Sequence, residues 1–81
     1  MRLEEVKRYF GRRVEVITRP VAPSHQEGKY AGVLEAIDND PEHVYLQPLV
    51  PGAPKPPYRR HGSGAHTNAI PLNEIREVRP L

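Results

Sequence analysis

Apolar residues fall in short clusters along this chain, and their spacing switches from helical to alternating near the start. Leu3, Val6 and Phe10 share one helical face, Glu4 stands four residues before Arg8, and Gly11 occupies a C-cap position. That pattern predicts a helix over Arg2 to Phe10. From Arg12 to Arg19 the order alternates through Val14 and Val16, as in a half-buried strand, with Pro20 as its stop. Pro20 to Gly28 carries Pro, Ser, His and Gly and reads as a loop. A second strand is expected from about Lys29 to Asp38, and Asn39-Asp40-Pro41 has the composition of a turn. The third strand, His43 to Val50, sets Val44, Leu46 and Pro48 on one face. Pro51 to His66 has no aliphatic periodicity and predicts a long mobile loop that adds nothing to the core. Two short strands close the chain, Thr67 to Ile70 and Ile75 to Val78, joined by Pro71 to Glu74.

A helix followed by five strands defines a mainly β domain. Gly32, two residues before Leu34, suggests that the second strand bends sharply, because a residue without Cβ permits close backbone approach. The expected architecture is therefore a strongly bent antiparallel SH3-like barrel occupying residues 1–81 as one domain. A plain antiparallel sheet with one covering helix is the competing arrangement. At 81 residues, with no cysteine, the chain has neither disulfides nor a zinc-ligand pattern to staple a small core. Domains of this kind often gain stability by oligomerising. No apolar run reaches membrane-spanning length and the N-terminus lacks a signal-peptide core, so a cytoplasmic location without membrane contact is expected.

Net charge is only +2, but its distribution is uneven. No Asp or Glu occurs from His43 through Asn73, and that run holds Lys55, Tyr58, Arg59, Arg60 and His61. Cations suit phosphates, and a tyrosine can stack on an unpaired base. The plain alternative is a solvated loop kept soluble by its charges. Arg12 and Arg13 open a strand, so their side chains point to opposite faces and form no binding fork. His25, His43, His61 and His66 lack zinc spacing, and Asp38 suits hydrogen bonding to its own turn. Ser24 and Ser63 have no paired base, and Gly62-Ser63-Gly64 lacks the setting of a phosphate-binding loop. The residues therefore predict no enzyme, no metal and no cofactor.

The segment Tyr30-Ala31-Gly32-Val33-Leu34-Glu35-Ala36-Ile37-Asp38 resembles the first Sm motif of the Sm-like protein family, and Ile70 to Pro80 resembles the second in its apolar spacing. The resemblance implies RNA binding and a ring of identical subunits joined through their terminal strands, with Ile75 and Val78 offering apolar contacts. The departures are specific. Pro71 and Leu72 stand where the family has Arg-Gly, which removes a guanidinium plane, while Asn73 keeps the third position. The family's stacking and base-reading positions fall on Asp40 and Glu42, or on His43 if the turn carries one extra residue. RNA binding is accordingly expected to discriminate weakly among bases, through Lys55, Tyr58, Arg59, Arg60 and His61, with His43 and Asn73 beside them. Phe10 to Val16, Tyr30 to Leu34 and Ile70 to Ile75 also look like the C-terminal barrel of bacterial ribosome maturation factors. That second likeness is specific for fold and weak for function. The substitutions at Glu42, Pro71 and Leu72 favour an alternative function, a protein-interaction module without RNA affinity that docks on a ribosomal or other complex.

Overall fold

The computed structural model describes residues 1–21, 26–54, 56, 58 and 68–81, except the side chains of Val21 and Gln26. One α-helical turn, α1 (Leu3–Val6), runs into a 3-10 helix over Lys7–Tyr9. Gly11 then turns the chain with φ +79°, as its C-cap position predicts. Five strands follow: β1 (Arg13–Val21), β2 (Gln26–Ala36), β3 (His43–Pro48), β4 (Ala69–Pro71) and β5 (Ile75–Pro80). A second 3-10 helix, Leu72–Glu74, joins the last two. All neighbours are antiparallel in one sheet of order β4-β3-β2-β1-β5. The fold is mainly β: a short helix and a bent five-stranded sheet, consistent with a small barrel.

The bend arises at two irregularities around the same point of β1. The β1–β5 register slips between Ile17 and Thr18, and the β1–β2 register slips between Ile17 and Pro20. Extra residues at such points kink a strand and increase its twist. Gly32 marks the close approach of β2 to β3. A Cβ there would lie 2.3 Å from the Gln47 carbonyl oxygen and 2.9 Å from Leu46 Cγ. The glycine is required by backbone proximity to the neighbouring strand.

Alternation decides the core. Val14, Val16, Leu34, Val44, Leu46, Ile70, Leu72, Ile75 and Val78 turn inward, and α1 lays Val6 over them. Each such side chain stabilises the fold by about 1.5–3 kcal/mol. Met1, Leu3, Tyr9 and Phe10 pack around the rim, so the N-terminal segment covers the sheet.

Several boundaries differ from the sequence-based expectations. Pro20 does not stop β1, which continues to Val21. β5 ceases to pair at Thr18, so Pro20 lies where that side of β1 has no strand partner for a missing N–H. β2 begins at Gln26 instead of Lys29, which shortens the connection between the two strands to residues 22–25. Pro56 is buried and Tyr58 packs against the core, so the segment after β3 does contribute to the interior. A proline and an aromatic ring supply apolar surface that a search for aliphatic periodicity misses. Ile75 and Val78, expected to meet a neighbouring subunit, are 3% and 6% exposed and belong to this chain's own core.

Candidate functional site

The β2–β3 turn is built from local hydrogen bonds. Asn39 takes φ 59°, a left-handed conformation that asparagine tolerates, and the Asp40 N–H donates to the Ile37 carbonyl at 3.2 Å. The Asp40 carboxylate then accepts from the Glu42 N–H at 3.0 Å, and its other oxygen lies 3.0 Å from His43 Nδ1. The sequence assigned turn capping to Asp38; the observed cap is Asp40. One acidic side chain thus closes the turn and holds the imidazole of the residue that opens β3.

A second turn meets this one. Pro71, with φ −62°, ends β4 and starts the 3-10 helix, whose Leu72 N–H donates to the Glu42 carbonyl at 2.8 Å. The Met1 ammonium donates to the Leu72 carbonyl at 2.9 Å and draws α1 against the same helix. Between them lies an open cleft of about 890 Å³, whose lining includes Arg2, Glu5, Glu42, His43, Asn73 and Glu74. His43, at the start of β3, and Asn73, in the 3-10 helix thirty residues on, are therefore brought to one place. Three carboxylates, Glu5, Glu42 and Glu74, stand along the wall with two cations, the Arg2 guanidinium and the Met1 ammonium. The near balance of charges suits a neutral hydrogen-bonding group better than a phosphate.

Tyr58 does not join this cleft. Its ring packs on the core and its hydroxyl is buried. Lys55, Arg59, Arg60 and His61 lie outside the described residues. Among the described residues, no three His, Cys, Asp or Glu side chains converge as a metal site. No helix of the described residues is long and apolar enough to cross a membrane. Sequence reasoning missed the wall contributed by Arg2 and Glu5. Arg2 is the N-cap of α1 and Glu5 lies within it, and only the tertiary seat of that helix brings them to the cleft.

Tyr30 sits on the far half of β2, away from these cleft residues in the register. Burial, and then the nearby Tyr58 hydroxyl, raise its phenol above the ordinary value of 10.0. At the sheet edge, Arg76 pairs with Glu27 and ties β5 to β2 across β1. Compared with known proteins, the chain matches no family model, no curated protein and no solved structure.

Proposed function

We propose that this chain is a non-catalytic, cytoplasmic RNA-binding protein of Sm-like type, assembling through its terminal strands into a homo-oligomeric ring. The observation that carries the reading is the meeting of His43 and Asn73 in one cleft. The family resemblance puts a base-contacting residue at Asn73, and one at His43 if the β2–β3 turn carries one extra residue. The strand order supports self-association, since among the described residues β4 and β5 are the two edges of the sheet and each pairs on one side only. Unpaired edge groups invite a neighbouring strand. Because Ile75 and Val78 face inward, the edge offers backbone hydrogen bonds with Arg76, Glu77 and Arg79 beside them. Phosphate contact falls to Lys55, Arg59 and Arg60 in the acid-free run, and base discrimination is weak because Glu42, Pro71 and Leu72 replace the family's recognition groups.

A second reading, a protein-interaction module without RNA affinity, is favoured by the carboxylates lining the cleft. Titration of labelled oligo-U and oligo-A at two salt concentrations separates the two. Phosphate contacts predict affinity that falls steeply as salt rises. No binding of either oligonucleotide at low salt would leave the interaction module as the better account.

A further inference from the structure

The two nitrogens of a neutral imidazole never play the same part: one carries the proton and donates, the other keeps a lone pair and accepts. In His43 the choice is made by Asp40. Nδ1 lies 3.0 Å from one carboxylate oxygen and 3.2 Å from the other, and an ionised carboxylate can only accept. Nδ1 therefore holds the proton, and Nε2 keeps its lone pair.

Asp40 is itself fixed in place. Its Oδ1 accepts from the Glu42 N–H at 3.0 Å, and Pro41, between the two, has no N–H to compete. The Asp40 side chain is 12% exposed, against 21% for His43. His43 lines the cleft with Glu42 and Asn73, whereas Asp40 does not. Among the described residues, Nδ1 alone of the two ring nitrogens has a hydrogen-bond partner. The edge of the ring left for a ligand is the one that carries Nε2.

We infer that Asp40 is a positioning residue for the cleft: by holding the Nδ1 proton of His43 it presents Nε2 as an acceptor, so the cleft receives a base through the N–H donors of its Watson–Crick edge. The inference rests on the reading of the cleft as a base-contacting site. It also accounts for weak discrimination. Every base has at least one such N–H: the amino group of adenine and cytosine, N3–H of uracil, N1–H and the amino group of guanine. The Glu42 and Glu74 carboxylates on the same wall are acceptors too and favour the same edge. A phosphate, whose oxygens only accept, finds no donor at Nε2.

The test reads the tautomer and the ligand edge separately. Nitrogen-15 NMR of the imidazoles, in buffer alkaline enough to keep them neutral, should show His43 protonated at Nδ1, its signals being those that vanish in His43→Phe. In Asp40→Asn the side-chain oxygen stays on the Glu42 N–H and the amide nitrogen comes to face Nδ1, so the proton should move to Nε2. For the ligand, the probes are uridine and 3-methyluridine, a base with no N–H donor, titrated while the Glu42 and Asn73 amide signals are followed. Uridine should shift those signals and 3-methyluridine should bind more weakly. The ratio of the two affinities should fall about tenfold in Asp40→Asn, because Nε2–H then meets the base oxygens instead; His43→Phe should lose the uridine preference as well. A merely structural loss would weaken both nucleosides alike and leave the ratio unchanged, which would overturn the inference. So would an Nε2–H tautomer in the parent, or no response of the cleft amides to uridine; both are read on the parent protein and need no variant to fold. Cleft shifts that favour uridine over 3-methyluridine in a protein with no affinity for oligonucleotides would support the inference while counting against the RNA-binding reading.

Discussion

Gly32 shows how a single position can be set by its neighbour's backbone. A methyl group added there meets the Gln47 carbonyl oxygen at 2.3 Å, and a carbonyl in a paired strand cannot rotate away as a side-chain tip can. Gly32→Ala should therefore cost about 1–3 kcal/mol by overpacking, and Gly32→Val more, since its branched Cβ adds bulk at the same point. Urea denaturation measures this, and a midpoint equal to the parent's would contradict the close approach of β2 to β3. Tyr30 makes a different residue-scale prediction. Its phenol is raised above 10.0 in the folded chain by burial and by Tyr58. The native state therefore holds its proton more tightly than the unfolded state does. That contribution is complete below the unfolded value and is lost as pH rises through the folded one. Stability should decline above about pH 10, and Tyr30→Phe should flatten the decline in thermal melts recorded at a series of alkaline pH values.

Within the elements, the turn between β2 and β3 depends on Asp40 more than on its sequence neighbours. Asp40→Ala removes the bond to the Glu42 N–H and the contact with His43. The expected loss is about 0.5–1.5 kcal/mol, and Asp40→Asn should recover part of it because an amide oxygen still accepts the backbone bond. Equal stabilities of the alanine and parent proteins in chemical denaturation would show that the turn closes without this side chain. The elements themselves were largely legible. Alternation through Val14 and Val16, and through Val44 and Leu46, predicts which faces are buried, because a strand's two-residue period leaves little freedom once one face is covered. Gly32 was readable for the same reason that it is needed. Pro20 was misleading, since whether a missing N–H matters depends on whether another strand lies beside it, and that is tertiary information. The cleft was half legible. His43 and Asn73 stood out through the family resemblance, but nothing local to Arg2 or Glu5 indicates that α1 would pack across the turns that carry them.

For the whole molecule, the proposed ring and the proposed RNA affinity are separable. Size-exclusion chromatography with light scattering should return a multiple of the 9.2 kDa chain, and a monomer at micromolar concentration would remove the ring. Replacing Arg59 and Arg60 together by alanine should weaken oligo-U and oligo-A binding by similar factors and flatten the salt dependence. A uridine preference that survives the double substitution would instead place recognition at the cleft, around His43 and Asn73. The strand order has a further consequence in time. β1 is made early, yet one of its two edges waits for β5, whose residues Ile75–Pro80 follow nearly the whole of the domain. The hairpins β1–β2 and β2–β3 close over short spans, whereas the β1–β5 pairing must close a loop of some sixty residues, such as that between Val16 and Val78. During synthesis the chain passes through a stage in which β1, β2 and β3 are available while the inner faces of Val14 and Val16 lack Ile75 and Val78. That nascent sheet, with an open apolar flank, is the form most exposed to chaperones and to pairing with another unfinished chain.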